Sequence, residues 1–519
     1  MTVLVKRTSV ILLGLIIIIF FGGLLWINPG RGPREPINPE AKGWRESVNG
    51  TLVLHLKGTP YEMGYQRGYF AKDKILQSIS IFDGLLDKAK EEVGLPRFAA
   101  HLILDITYQL CAPHIPERYK REMEGMADAS GADLKTLRRA HVISVITERG
   151  CSAFTVWGKA TADGALYHGR NFDWITSAGL EDTAVLLLYE PDGFHKFASA
   201  GYAGMIGVLS GMNMEGISIS MIGAVTDDKS LRGLPLEFVH RRILEESANL
   251  EEVTKLMHEI NRTVGFNYVI ADGDVPDARV YETTANHLAI FQANDPKETV
   301  EYAVPIEDAA FRSDEAMDPV VRSLQRCANA PNMPYGSNSY DHRYLGMVKG
   351  IQDNYGVINA EIALEILKST AMENANLHAV LTNSTERIMW VAHAANGQNA
   401  SLQPFIYYDL HQLFLPPEQR TDTENPIAIA APKPETVEDD TPPQETAPTA
   451  EEAAAPDEGS EQEESVAPAE ESKQKETPEE KPVSEEETTQ QKESADTEDE
   501  PSKEASTAAE SSSQEQPAQ

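Results

Sequence analysis

The sequence predicts an α+β fold in which helices cover antiparallel sheets, and two features of its patterning carry that expectation. Apolar residues recur at helical spacing through most of the first third, then switch at Cys151 to a period of two. Beyond that switch, strand-like and helix-like runs are grouped and do not alternate, which argues against a doubly wound parallel sheet.

The elements follow in order. Residues 60–93 place Met63, Tyr65, Ile75, Ile79, Phe82 and Leu86 on helical spacing. Residues 116–129 and 134–146 repeat the pattern, the latter with Asp133 as its N-cap. Short strands are expected over 151–157, 165–173, 183–189, 194–200, 204–211 and 216–222, then a long helix over 234–260. Further strands are expected at 267–271, 279–283 and 287–292, with a last hairpin from 377–381 and 388–393. The glycines Gly201, Gly204 and Gly207 have the wrong spacing for a dinucleotide loop and are read as letting a substrate approach a strand.

Composition divides the 519 residues into zones. Lys6 and Arg7 precede an uncharged apolar run over residues 10–27, read as an uncleaved signal anchor that leaves the rest of the chain outside the cytoplasm. A cleaved signal peptide is the alternative, although Trp26-Ile27-Asn28-Pro29-Gly30 offers no small-x-small cleavage site. From residue 431 the chain holds 28 Asp and Glu against 6 Lys, a balance of −22 within a net charge of −36. Such a tail cannot bury enough apolar surface to offset its ordering entropy, so disorder and a solvated-spacer role are expected. The sign of the charge excludes a nucleic-acid partner. The expected organisation is an anchor over 1–30, a linker over 31–48, a helical segment over 49–150, a catalytic segment over 151–420 and an acidic tail over 421–519. Cys111, Cys151 and Cys327 do not make a disulfide framework. Cys111 and Cys327 are either plain buried thiols or one bridge. No C-x-x-C or H-x-x-x-H spacing points to a metal, and no cofactor is expected.

The residues with chemistry stand at the ends of one expected hairpin. Gly150-Cys151-Ser152-Ala153-Phe154 opens its first strand, and Tyr167-His168-Gly169-Arg170-Asn171-Phe172-Asp173-Trp174 closes its second. A hairpin brings its outer ends together, so Cys151, Arg170 and Asp173 meet: a thiol beside a guanidinium and a carboxylate is a nucleophile with an electrostatic partner and an orienting group. Gly150 permits the strained backbone that a self-cleaving bond requires.

These motifs, with Ser210-Gly211-Met212-Asn213-Met214-Glu215-Gly216, resemble the C45-type autoproteolytic acyltransferases and hydrolases. That family of N-terminal-nucleophile (Ntn) hydrolases includes acyl-CoA:6-aminopenicillanate acyltransferase and is related to bile salt hydrolase, penicillin V acylase and acid ceramidase. Gly58 to Gly64, Glu124 to Gly131 and Asn267 to Asp272 support the resemblance, which spans roughly residues 50–415. It implies a four-layer αββα sandwich, with the helical segment before Cys151 wrapped around it. It also implies self-cleavage at Gly150–Cys151, an acyl-enzyme on Cys151, and two fragments that stay associated. The substrate would be a non-peptide acyl amide or an acyl donor such as an ester or thioester, and the membrane would be reached through the N-terminal anchor. The freed amine of Cys151, ordinarily titrating near 8, would serve as the base. Asp173 would fix that amine, Arg170 the thiolate, Asn213 would line the oxyanion hole, and Arg343 matches a late active-site arginine. Asp314 departs from the pattern, where relatives carry Asn, because an ionised carboxylate repels an oxyanion. Either Asp314 is protonated, or the correspondence slips by one, or Asn213 and backbone N–H groups act alone. Two rival readings are a catalytically silent envelope binding module and a surface scaffold whose acidic tail binds Ca²⁺ weakly.

Overall fold

The computed structural model describes residues 37–145, 150–174, 176–325, 339–421, 425 and 427. The apolar run at 10–27, Cys327 and the acidic tail lie outside these residues, as does the whole of a second unit, Glu435–Gln519. Among the described residues no helix is long and apolar enough to cross a membrane.

The helical segment begins after a short hairpin, β1 (Trp44–Val48) and β2 (Thr51–Gly58). It comprises α1 (Pro60–Phe70), α2 (Lys72–Val93), α3 (Arg97–Cys111), α4 (Glu117–Ser130) and α5 (Leu134–Ala140). The expected single helix over 60–93 is two, divided at Ala71, whose backbone leaves the helical region. Thr59 and Glu62 form a capping box at the start of α1, and Asp133 caps α5 as expected, accepting from the Thr136 N–H.

One glycine in each of two flanking motifs, Gly64 and Gly125, serves packing. A Cβ at Gly64 would stand 2.0 Å from the Glu122 carbonyl oxygen, and one at Gly125 would stand 2.2 Å from that of Tyr61. Helices α1 and α4 therefore touch backbone to backbone, at a distance only glycine allows.

The strands after the helical segment are β3 (Gly150–Val156), β4 (Tyr167–Asp173), β5 (Ala184–Pro191), β6 (Phe197–Tyr202), β7 (Ser210–Asn213) and β8 (Ile217–Gly223). Then come α6 (Leu236–Glu246), α7 (Leu250–Glu259), β9 (Phe266–Asp272), β10 (Asp277–Thr283), β11 (Leu288–Phe291) and β12 (Ala309–Arg312). The chain continues through α8 (Pro319–Leu324), α9 (Ser339–Asp353), α10 (Ala360–Ser369), β13 (Asn376–Asn383), β14 (Ile388–His393), β15 (Ile406–Asp409) and α11 (Leu410–Leu413). The long helix expected over 234–260 is broken where Asn249 caps a new one, accepting from the Glu252 N–H.

Among the described residues two sheets form. One has nine strands in the order β1-β2-β5-β6-β7-β8-β9-β10-β11; the other has six, β12-β3-β4-β13-β14-β15. Neighbouring strands are antiparallel except β2 and β5, which run parallel. The sheets face each other across a seam with polar cross-links, for His168 on β4 meets Ser218 and Ser220 on β8. Helices α6 and α7 lie on the nine-stranded sheet, and α9 and α10 on the six-stranded one. The molecule is thus mixed α+β, as its patterning predicts.

Candidate active site

Strands β3 and β4 form the expected hairpin, with Cys151 opposite Phe172 and Gly150 opposite Asp173. Alternation along β4 sends His168, Arg170 and Phe172 toward the nine-stranded sheet, while Asn171 and Asp173 point the other way. Cys151 shares a face with its partner Phe172, which brings its thiol within 3.7 Å of Arg170 Nη2. The thiol is fully buried. Burial pushes its pKa up to about 11, with Arg170 pulling down and the Asp173 and Asp314 carboxylates pushing up. It is therefore a protonated thiol and needs a local base before it can attack.

Three uncharged groups meet the Arg170 guanidinium. Its Nη1 donates to Ser210 Oγ at 2.6 Å and meets His378 Nε2 at 3.0 Å, and its Nη2 donates to the Met221 carbonyl at 3.2 Å. A guanidinium only donates, so His378 Nε2 is the bare nitrogen and Nδ1 carries the proton toward Tyr202 Oη, 3.0 Å away. Burial, and then Arg170, hold His378 well below the usual histidine range. His168 is likewise neutral, pushed down to about 3 by burial and Arg170, and its two ring nitrogens are occupied by serine hydroxyls.

Asp173 meets a different arginine. Arg343 Nη1 donates to its Oδ2 at 3.0 Å and to the Cys151 carbonyl at 2.8 Å, while Arg343 Nη2 bonds Asp314 Oδ2. The other oxygen of Asp173 accepts from Asn376 Nδ2 at 3.0 Å and from the Met372 N–H at 3.3 Å. An irregularity in the pairing of β4 with β13, between Asn376 and His378, aims Asn376 at the carboxylate. Burial raises the pKa of Asp173 and Arg343 pulls against it. Arg343 itself is held above its ordinary value, because Asp314 and Asp173 outweigh burial.

Asp314 follows β12, whose pairing with β3 places it at the open end of the hairpin. Its Oδ1 accepts the Cys151 N–H at 2.9 Å. Burial pushes its pKa up to about 6 against the pull of Arg343. A Cβ at Gly150 would press on the flexible end of Met372, 3.0 Å from its Cε, and would touch Asp314 Oδ2 at an ordinary 3.5 Å.

Five of the six expected residues converge: Cys151, Arg170, Asp173, Asp314 and Arg343. Asn213 does not join them. Its Nδ2 donates to the carbonyls of Leu244 and Ser247 at 3.0 and 2.8 Å, and its Oδ1 accepts the Ile217 N–H at 2.9 Å. The amide ties the β7–β8 turn to the end of α6, and Gly216 completes that turn at φ +87°. It has no donor left for an oxyanion.

Sequence reasoning missed two amides. Asn376 carries no motif and is found only through the pairing of β13 with β4. Asn267 stood inside a quoted motif without a role. Its Nδ2 donates to the carbonyl of Ser313, next to Asp314, at 3.2 Å, and its Oδ1 is buried without a hydrogen-bond partner among the described residues.

Two cavities flank the constellation. One, of about 60 Å³, is apolar and runs between the helical segment and β4, lined by Ile79, Phe82, Leu137, Phe172, Trp174 and Met205. The other, of about 580 Å³, is more polar and is lined by His342, Arg343, Lys368, Met372, Asn399 and Ser401. Gly204 also lines the apolar cavity, yet its lack of a side chain serves packing, since a Cβ there would lie 2.7 Å from Ser78 Cβ on α2. Gly207 similarly makes way for Glu237. Packing thus requires glycine at 204 and 207, while Gly201, where a Cβ would stand 3.6 Å from Leu187 Cδ1, is under no such demand.

Residues 160–302 match the model of the acyl-coenzyme A:6-aminopenicillanic acid acyl-transferase family. The acyl-coenzyme A:6-aminopenicillanic-acid-acyltransferase 40 kDa form of Emericella nidulans is 28% identical over 217 residues, 40% of this chain and 57% of that one. Over that stretch the chain is similar to this acyltransferase family. Dcd1B of Dictyostelium discoideum is 27% identical over 274 residues, 48% of this chain and 54% of its own. Acid ceramidase of Rattus norvegicus is 21% identical over 240 residues, 41% of this chain and 60% of its own. The chain thus spans little more than half the length of these relatives. The matched stretch contains Arg170, Asp173 and Asn267, and lies between Cys151 on one side and Asp314 and Arg343 on the other.

Proposed function

We propose that this protein is an Ntn-type cysteine amidohydrolase or acyltransferase that cuts itself between Gly150 and Cys151. It then cleaves or transfers the acyl group of a non-peptide amide or ester through an acyl-enzyme on Cys151. One observation carries the reading. The nitrogen, thiol and carbonyl of Cys151 are each held by a different charged side chain, Asp314, Arg170 and Arg343.

In self-cleavage the Cys151 thiol adds to the Gly150 carbonyl carbon. The C–S bond forms, the C–N bond breaks, and the thiol proton ends on the Cys151 nitrogen. Water then hydrolyses the thioester, releasing Gly150 as a carboxylate and restoring the thiol. In turnover the freed amine takes the thiol proton as sulfur attacks the substrate's acyl carbon, and returns it to the leaving group. Water or an acceptor nucleophile then releases the acyl group. The apolar cavity beside Phe172 suits an acyl chain, and the polar cavity beside Arg343 suits the rest of the substrate. A buried pair between the helical segment and the later chain, Glu122 with Arg241 at 2.5 Å, and a half-buried one, Arg118 with Glu245 at 2.8 Å, would keep the cut fragments together. The apolar run after Lys6 and Arg7 supports an anchored, extracytoplasmic enzyme.

The rival reading, a silent binding module, is favoured by the carboxylate of Asp314 beside the nucleophile. An iodoacetamide-type label and an untargeted mass-spectrometric screen of N-acyl compounds separate the two. A labelled Cys151 whose modification abolishes release of a fatty or other acyl acid supports the enzyme. An unreactive Cys151 in a self-cleaved chain, with no acyl compound consumed, sinks it.

A further inference from the structure

The Cys151 nitrogen is held by a carboxylate where the resemblance calls for an amide. Asp314 Oδ1 accepts its N–H at 2.9 Å, and the other oxygen is engaged by Arg343. The position is fixed from two sides, by the pairing of Arg312 with Ala153 and by Asn267 Nδ2 on the Ser313 carbonyl. We propose that Asp314 is a positioning residue that holds the Cys151 nitrogen first as an amide N–H and then as the freed amine. The protonation of the nucleophile's own base is then set by a carboxylate. This rests on the self-cleavage proposed above.

The charged and titratable groups around this nitrogen are Asp314, Arg343 from α9, Asp173 and Arg170 from β4, and the Cys151 thiol. Asn267 from β9, whose amide donates to the neighbouring Ser313 carbonyl, is neutral. An ionised carboxylate accepts hydrogen bonds and donates none, so it favours the ammonium over the amine. An asparagine can accept the same N–H without that charge. The base form of the amine should therefore appear at higher pH in this protein than in a variant with Asn at the same position. The acid limb of kcat/KM should follow the same order.

The test uses the full chain and its Asp314→Asn variant, both labelled with ¹³C-cysteine. Cys151 is the cysteine that acquires a free amine on cleavage, so its Cα shift followed against pH reads the amine's titration. Asp314→Asn is expected to lower the midpoint by about one pH unit, a tenfold weaker hold on the proton. Should that variant fail to fold or to cut itself, Asp314→Ser, which also removes the charge, is read in the same way. A free amine with the same midpoint in both proteins overturns the role of Asp314 and leaves the enzyme reading intact. No free amine at Cys151 in the wild-type chain overturns self-cleavage, and this inference with it.

Discussion

Asp173 takes its cation from Arg343, at 3.0 Å, and not from Arg170 on its own strand. Strand alternation explains this, since residues three apart point to opposite faces of a sheet. Arg343 arrives from α9 and serves two buried carboxylates at once, Asp173 and Asp314. Removing it leaves both without their cation. Arg343→Ala is expected to cost about 3–5 kcal/mol in urea unfolding, whereas a loss under about 1 kcal/mol would show that the cluster does not hold the fold.

Arg170 and Asp173 point to opposite faces of β4 and approach Cys151 from different sides, so their effects should separate by measurement. Asp173→Asn and Arg170→Lys should each lower kcat/KM, the second because an ammonium cannot replace a planar fork. The double variant should be non-additive in kcat/KM but close to additive in unfolding free energy, as expected for one catalytic unit without direct contact. Near wild-type kinetics in both single variants would leave the two residues a structural role only.

Self-cleavage has a plain signature. Denaturing gels of the wild type should show one fragment ending at Gly150 and one beginning at Cys151, while Cys151→Ala stays whole. Edman sequencing of the second fragment identifies the bond. A wild type that turns over substrate as a single uncut chain would remove processing from the mechanism.

Stability should fall with acid. Burial, with Arg170 as the next cause, pushes His168 and His240 down to about 3 and His378 well below its usual range. In the unfolded chain these side chains titrate near 6.5. The unfolded state therefore binds protons more tightly, so stability is fully present above about 6.5 and is lost as pH falls from there toward about 3. Each histidine adds a slope of up to about 1.4 kcal/mol per pH unit in that window. His168→Asn should flatten the melting temperature between pH 6 and 4. An unchanged slope would show that His168 does not titrate on unfolding.

Removing the residues after 430 should leave activity and melting temperature nearly unchanged, because a segment rich in Glu and Pro has no core to lose. A large drop in melting temperature on truncation would place the boundary elsewhere.

The sequence alone determined the switch from helices to strands at Cys151, the hairpin that joins Cys151 to the end of β4, and the Asp133 cap. Each depends on local periodicity or on neighbours a few residues away. It also singled out Arg343 and Asp314, but through resemblance, and it could not say what they touch. The tertiary structure alone decided that Arg343 partners Asp173, that Asp314 holds the Cys151 nitrogen, and that Asn376 reaches the site. Those contacts join β3, β4, β12, β13 and α9 across as many as 203 residues. It also withdrew Asn213, whose turn motif reads the same whether its amide faces a substrate or the end of a helix. Side-chain direction at such positions is fixed by which element packs against the strand, and that is not written in the strand's own residues.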